Sequence, residues 1–374
     1  MKRIVFVVIL LFCLFINGFG QSSKIYSEYV SQGDDRIEIV VVSGTPHEMG
    51  FKLGKHLKER ALETIQKMLS AAYKEDSVYL GQKNLLQAWK TNEPFMDKRF
   101  IEEMEGFSEG SGIDLNLLKA AHTVPMISPY SCSGVDAWGK ATSSGHLFQI
   151  RNLDYSINAG LQTYPVVVIY KPTNGVAHAN IAFSGMMSSH TGINAKSIVL
   201  GEIGESSRRE APYDLHGKHF TIMFRQILYD AKNLSDAENI IENSPLIKRY
   251  FFFVGDGKLK EHAAIKYLIS TPDSVRLHKW TDLDKTDTRV PKVYSNIVYK
   301  TMKNDVATKF LDENYGHLGA PEMIKLSQSV AVEKNLVDVV YDATALEIWV
   351  ANATSKQPAS AHQYIHIDLK KYFK

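Results

Sequence analysis

The sequence predicts an α+β protein in which sheets and helices stack in layers. The first third of the 374-residue chain shows helical spacing of its apolar residues. The part after Cys132 breaks into short apolar segments separated by Gly, Asn and Pro, and helical spacing returns twice among them. No Pro- or Ser-rich linker divides the chain, so we expect a single domain.

The N-terminal third is predicted to contain one strand followed by helices. Residues 36–43, "RIEIVVVS", are rich in β-branched side chains and predict the strand. Thr45 is the expected N-cap of a long helix, with Pro46 at its first position. Gly50 and Gly54 lie one turn apart in this helix, where glycine costs stability, so we expect another element to approach closely there. A second helical region is predicted over about 84–122, with a break at 110–112.

The remainder of the chain is predicted to be mainly strands. Two further helices are expected, one in 219–244 and one near 321–334, and residues 337–353 are typical of a terminal hairpin. The other predicted strands are LFQIRNLDY, PVVVIYKP, AHANIAFSG, KSIVLGEI, RYFFFVGDG, AAIKYLIS, SVRLHKW and KVYSNIVY.

The N-terminus is typical of a secretory signal. Lys2 and Arg3 precede an apolar run from Ile4 to Ile16, which is shorter than the roughly 20 residues that a membrane-spanning helix needs. Small residues precede Gln21, so we expect cleavage after residue 20, loss of Cys13 and no stable membrane anchor. The expected location is periplasmic or extracellular, or lysosomal in a eukaryote.

Composition restricts the class of partner. Lys and Arg number 43 against 41 Asp and Glu, and removing the two basic residues of the signal leaves 41 against 41. This balance argues against nucleic acid or an anionic membrane surface as a partner. No Gly-rich phosphate loop follows a strand and no metal-ligand spacing is present, so we expect neither cofactor nor metal. No feature of the sequence indicates an oligomeric state.

Cys132 is the one cysteine expected in the mature chain. A lone free cysteine is most often a small buried hydrophobic residue. Arg151 and Asp154 follow at the end of a predicted strand, and their ordinary interpretation is a surface ion pair. The functional interpretation is a guanidinium that lowers the pKa of a thiol and a carboxylate that holds an amine.

The segment "CSGVDAWGKATSSGHLFQIRNLDYS" resembles the start of the catalytic chain of N-terminal-nucleophile cysteine hydrolases, in particular the isopenicillin N acyltransferase-like proteins. Bile salt hydrolases, penicillin V acylases and N-acylethanolamine acid amidases are related. Arg151 to Asp154 match the family's motif, but Ile150 replaces its usual glycine. Weaker matches are "GTPHEMGFKLGKHL", "EEMEGFSEGSGID", "TGINAKSIVL", in which Ser197 replaces a glycine, and "FRQILYDAKNLSDAENII".

The resemblance implies a four-layer αββα fold and self-cleavage between Ser131 and Cys132. Residues 21–131 would form an N-terminal, mostly helical segment, and residues 132–374 a catalytic chain. The new α-amine of Cys132 would act as general base for its own thiol. By the same resemblance, Arg151 favours the thiolate, Asp154 orients the amine, and Asn194 and Asn296 stabilise the oxyanion. The implied substrate is a small, linear N-acyl amide.

Several alternatives compete with this interpretation. The same acyl-enzyme could pass its acyl group to an amine, which would make the protein an acyltransferase. A secreted binding protein could keep the fold without catalysis. Residues 106–110 match the Gly-x-Ser-x-Gly elbow formally, with Ser108 as nucleophile, but lie in a helical pattern. Asn194 could be an ordinary turn asparagine, Asn296 has Ile297 where relatives have His, and His216 and His219 are best taken as loop residues.

Overall fold

The computed structural model describes residues 25–128, 130–204, 214–248, 250–261, 264–271, 274–279 and 294–374. The predicted signal segment 1–20, with Cys13 and the cleavage site before Gln21, lies outside these residues. Within the described ranges, no helix is both long and apolar enough to cross a membrane.

The described chain begins with strands, continues with four helices and then consists mainly of strands, with further helices among them. The strands are β1 (Tyr26–Gln32), β2 (Asp35–Gly44), β3 (Ser131–Ala137), β4 (Phe148–Asp154), β5 (Pro165–Pro172), β6 (His178–Phe183), β7 (Thr191–Asn194), β8 (Ile198–Glu202), β9 (Phe251–Asp256), β10 (Ala264–Thr271), β11 (Ser274–Lys279), β12 (Ile297–Lys300), β13 (Asn335–Asp342), β14 (Glu347–Asn352) and β15 (Ile365–Asp368). The helices are α1 (Pro46–Glu75), α2 (Gln82–Asn92), α3 (Lys98–Ser111), α4 (Leu115–Ile127), α5 (Phe220–Asp230), α6 (Leu234–Glu242), α7 (Asn304–Asn314), α8 (Ala320–Val330) and α9 (Lys370–Phe373).

Two sheets stack between two layers of helices. Among the described strands, the first sheet has the order β1-β2-β5-β6-β7-β8-β9-β10-β11 and the second β12-β3-β4-β13-β14-β15. Helices α1, α5 and α6 pack on the first sheet, α8 packs on the second, and β3 and β4 face β8 and β9 across the interior. The predicted single-domain, four-layer αββα architecture is confirmed. The N-terminal segment belongs to this domain, because β2 pairs in parallel with β5.

The start of α1 follows the predicted chemistry. The Thr45 hydroxyl accepts from the Glu48 backbone N–H, and the Glu48 carboxylate accepts from the Thr45 N–H at 2.8 Å, while Pro46 opens the helix. This capping box satisfies two backbone donors that a helix N-terminus otherwise leaves unpaired.

Glycines bring α1 and α3 into backbone contact. A Cβ at Gly50 or Gly54 would overlap the carbonyl groups of Glu103 and Phe107 on α3. Gly106 and Gly110 of α3 meet α1 in the same way. The expected close approach is therefore confirmed, and the approaching element is α3. Because Gly106 to Gly110 lie inside this helix, the nucleophile-elbow interpretation of Ser108 is wrong.

The predicted elements differ from the structure mainly at their ends, and β1, α7 and β15 had no predicted counterpart. The segment 84–122 forms parts of three helices, and 219–244 forms two, with Asn233 capping the second. The strand expected in "KVYSNIVY" begins at Ile297, after Asn296 adopts a φ of 63°. Hairpin β13–β14 is present as expected.

The interior face of β3 leads to the candidate site. A Cβ at Gly134 would overlap Ile203 and Phe253 of the opposite sheet, so this face is tightly packed. Alternate residues of a strand share a face, so Cys132 and Asp136 also point between the sheets. Asp136 is fully buried, and burial raises the pKa of its carboxyl to about 8, against the lowering effect of Gln149 on β4.

Candidate active site

The first residues of β3 meet the last residues of β4. Their antiparallel register places Cys132 opposite Leu153, Ser131 opposite Asp154 and Gly134 opposite Arg151. The structure therefore brings Cys132, Arg151 and Asp154 together at one corner of the second sheet. The local reason is the hairpin, since pairing of two strands that the motif joins fixes which side chains become neighbours.

The Cys132 thiol is closed off from solvent in the continuous chain. Its side chain is fully buried, and burial raises its pKa to about 12. Arg151 and a hydrogen bond from the Gly204 backbone N–H favour the thiolate, whereas the carboxylates of Glu202 and Asp154 disfavour it. The thiol is consequently neutral at physiological pH before any change in its surroundings.

Arg151 is a fully buried cation at the sheet interface. Its Nη2 lies 4.0 Å from Oε2 of Glu202 on β8, which is also fully buried. Its guanidinium nitrogens have no hydrogen-bond acceptor within the described part of the chain. Buried donors in this state are costly, so they mark a place where an oxygen atom would be bound favourably.

Asp154 is held from the neighbouring strand. Its Oδ1 accepts a hydrogen bond of 3.4 Å from the Asn335 side chain. Burial raises the pKa of Asp154 to about 7, against the lowering effects of this hydrogen bond and of the charges of Arg151 and Lys303. This carboxyl can therefore gain or lose its proton near neutral pH.

Asn194 is the last residue of β7, and its side chain is fully hydrogen-bonded around the turn that leads to β8. The amide donates to the carbonyl oxygens of Leu228 and Ala231, and its oxygen accepts from the backbone N–H groups of Lys196 and Ile198. This is the turn role that competed with oxyanion stabilisation. The geometry gives the oxyanion role no support, and that role stays a prediction.

Asn296 lies at the opposite end of β3 from Cys132. Its carbonyl accepts from the Trp138 N–H, and its neighbour Ile297 pairs with Ala137. Ala137 lies five positions after Cys132 along the strand, about 17 Å away at the usual rise. The structure does not bring Asn296 to the Cys132 corner.

A mainly apolar pocket begins beside Arg151. Its free volume is about 70 Å³, and it is partly open to solvent. Its apolar walls come from both sides of the expected cut and include Met68, Tyr130, Leu153, Phe183, Met186 and Phe220. His190 also lines it, and burial together with Arg151 lowers the pKa of this imidazole well below its usual value, so the ring is neutral.

His216 and His219, which were expected in a loop, have separate partners. His216 lies 2.9 Å from Asp214, and His219 caps α5 through Thr221. Within the described ranges, no cluster of three His, Cys, Asp or Glu residues could hold a metal ion.

Sequence reasoning missed the residues that other strands contribute to this corner. Glu202 lies in a correctly predicted strand. Its position as an acidic residue in an otherwise apolar segment could have indicated a functional role. Asn335 gave no comparable signal, because its place beside Asp154 depends on how β13 pairs with β4.

The order of the layers agrees with the αββα fold that the resemblance implied. No protein-family model matches the chain. It is similar to the protein dcd1A of Dictyostelium discoideum, with 25% identity over 94% of this chain and 88% of that protein, and to dcd1B of the same organism, with 25% identity over 91% and 76%. An uncharacterized protein of Archaeoglobus fulgidus is 22% identical over 82% of this chain and 62% of its own length.

Solved structures with some likeness are amide hydrolases. An N-acylethanolamine-hydrolyzing acid amidase ortholog of Caenorhabditis elegans has a TM-score of 0.43 and 14% identity over 57% of this chain and 93% of its own. Penicillin V acylase of Agrobacterium tumefaciens has a TM-score of 0.41 and 12% identity over 64% and 87%. Conjugated bile acid hydrolase of Clostridium perfringens has a TM-score of 0.45 and 10% identity over 64% and 93%.

Proposed function

We propose that this protein is an exported, self-processed cysteine amidase that hydrolyses linear N-acyl amides. The observation that carries the proposal is the corner formed by Cys132, Arg151 and Asp154, with an apolar pocket that begins at Arg151. A thiol, a buried cation and a titratable carboxyl in one place are the groups that nucleophilic attack on an amide needs.

The first reaction would be the cut between Ser131 and Cys132. The thiol attacks the Ser131 carbonyl, the peptide C–N bond breaks, and a thioester and a free α-amine form. Water then hydrolyses the thioester and leaves a carboxylate on Ser131 and a thiol on Cys132. Both residues lie in β3, so the attacking sulfur and the attacked carbonyl are adjacent in a fixed strand.

The second reaction would use the new N-terminus. An α-amine has an ordinary pKa of about 8 and can take the thiol proton. Asp154 would hold the resulting ammonium, and Arg151 would favour the thiolate. The Gly204 N–H, which already donates to the sulfur, would help to stabilise the oxyanion.

The pocket favours an uncharged, apolar acyl group. Met68 and Phe183 lie on its walls, and the unpaired donors of Arg151 would bind the carbonyl oxygen of an amide in the pocket. An aliphatic chain would gain about 25 cal/mol for each Å² of its surface removed from water there. A positively charged acyl chain would lose hydration without a partner for its charge, since the described lining includes Arg151 and no acidic residue.

The proposal predicts a cut wild-type protein and an uncut variant. Intact mass measured after incubation at pH 5 and pH 7 should show two chains, one of which begins at Cys132. Cys132→Ala should remain a single, folded chain without amidase activity, and Ser133→Ala serves as the matched control that keeps the thiol. A wild-type protein that hydrolyses amides while it remains uncut would contradict the mechanism.

Product analysis distinguishes the amidase from its rivals. Incubation of an N-acyl amide with millimolar free amine should give mainly free acid, because water is the acceptor at about 55 M unless a site holds the amine. Predominant transfer to the amine would establish an acyltransferase. Binding without turnover, by an uncut chain, would establish a binding protein.

A further inference from the structure

A chain of buried polar side chains extends from Asp154 away from Arg151. Asn335 donates to Asp154 at 3.4 Å and to Oδ1 of Asp338 at 2.6 Å. Tyr364 donates to Oδ2 of Asp338 at 2.7 Å. Its oxygen also lies 3.0 Å from Oγ of Ser327, the side chain of which bonds Asn152. All of these side chains are buried.

A β-bulge places Asn335 in this chain. On β13, Asn335 pairs with Asp154 and Val337 pairs with Leu153, so the two strands differ by one extra residue at Leu336. In a regular strand, Asn335 and Asp338 would point to opposite faces, because they are three residues apart. The extra residue reverses this relation, and both side chains then lie on the face of Asp154. Bulges occur next to active sites for this purpose.

The orientation of the Asn335 amide is fixed on both sides. Its oxygen accepts from the Ser360 backbone N–H at 2.9 Å. The NH₂ group must therefore point to the carboxyl groups, one donor to each. A side chain with all its hydrogen-bonding groups engaged has one orientation, and it passes that orientation on to its partners.

We infer that Asn335 is a positioning residue that holds Asp154 in the orientation needed to bind the α-ammonium of Cys132, with Asp338 and Tyr364 fixing Asn335 in turn. The inference rests on the proposed function, since that ammonium exists only after the cut. Asn335 acts through Asp154 and does not touch the substrate.

The groups around Asp154 determine the pH effect of losing Asn335. The described titratable and charged groups that act on it or on its partner Asp338 are Cys132 on β3, Arg151 on its own strand, Lys303 before α7, and Asp338 with Tyr364. The Asn335 hydrogen bond lowers the pKa of Asp154. Its removal must therefore raise that pKa and leave less carboxylate at a given acidic pH.

The test compares kcat/KM of the cut enzyme against pH for three variants. Asn335→Ala should lose about tenfold in kcat, with KM little changed, and its acidic limb should shift to higher pH. Tyr364→Phe should lower kcat by less, with KM little changed, because Asp338 loses one of the two described side chains that hold it. Tyr299→Phe is the matched control, since it removes a buried hydroxyl that bonds Thr308 away from the site, and it should leave the profile unchanged.

A wild-type pH profile and kcat in Asn335→Ala would overturn the inference. If Asn335→Ala does not fold, Tyr364→Phe decides the matter, and a wild-type kcat there overturns the inference equally. Cys132→Ala in the same series tests the proposed function separately, because amidase activity in that variant would refute the function itself.

Discussion

At the scale of single residues, three side chains within 23 positions of one another define the corner. Cys132, Arg151 and Asp154 could be predicted from sequence because they lie in one continuous motif, which a single hairpin folds upon itself. Glu202 and Asn335 could not, since each arrives from a strand far along the chain, and Asn335 needs a bulge as well. Asn194 matched a motif, but the motif describes a turn as well as it describes an oxyanion donor.

Replacement of Arg151 or Asp154 should strongly reduce the rate of turnover and change the thermal stability of the protein little. Removal of a positioned charge partner costs about 2–4 kcal/mol of transition-state stabilisation, or roughly 30- to 1000-fold in rate. Arg151→Ala and Asp154→Asn should show this loss in kcat/KM. Lys258→Ala, which removes the exposed cation beside Asp256, is the control. A normal kcat in either site variant would show that Arg151 and Asp154 have only a structural role and none in catalysis.

At the scale of elements, periodicity predicted which segments are helices and strands, and local chemistry predicted the start of α1. The ends of other elements were missed because tertiary contacts determine them. Gly50 and Gly54 indicated a close neighbour, yet only the structure identifies it as α3, through glycines that face them.

Gly50→Ala should destabilise the α1–α3 contact. The new methyl group would overlap the Glu103 backbone, which cannot move away as a flexible side chain could. Overpacking of this kind costs about 1–3 kcal/mol, although alanine itself favours a helix. Thermal unfolding should therefore show a lower Tm than for Lys58→Ala, an exposed change on the same helix. An equal or higher Tm would show that the two helices can separate at little cost.

At the scale of the whole molecule, the stacked sheets bury carboxyl groups that stay protonated to unusually high pH. The layer architecture could be predicted from the order of the elements. The polar groups that the interior encloses could not be predicted, because they depend on the register of both sheets. Asp136 is the clearest case, since its carboxyl pKa is about 8 and its ordinary value is about 4.

Asp136 should make the uncut protein less stable as pH rises. The folded carboxyl keeps its proton up to pH about 8 and the unfolded one loses it near 4, so the folded state binds more protons between these values and stability falls with pH. Buried histidines, such as His122 with a pKa of about 4, have the opposite sign up to their ordinary value near 6.5. The fall should therefore emerge between about pH 6.5 and 8.

Thermal unfolding in the Cys132→Ala background measures this effect. Asp136→Asn should raise Tm over the parent at pH 8 and by less at pH 6, whereas Asp305→Asn on the exposed surface of α7 should change neither. A Tm difference that is the same at both pH values would exclude the titration of Asp136 as its cause.

The parallel pairing of β2 with β5 has a consequence for how this protein is made. β2 lies before the proposed cut and β5 after it, so neither fragment contains a complete first sheet. With the proposed cut, the chain would have to fold while it is continuous, when finding the partner strand is an event within one molecule. Once cut, the same fold would have to reassemble from two molecules, at a rate that depends on their concentration. The uncut chain could unfold and refold reversibly. After activation, the folded protein would persist only as long as it does not unfold, because its two fragments would have to find each other again.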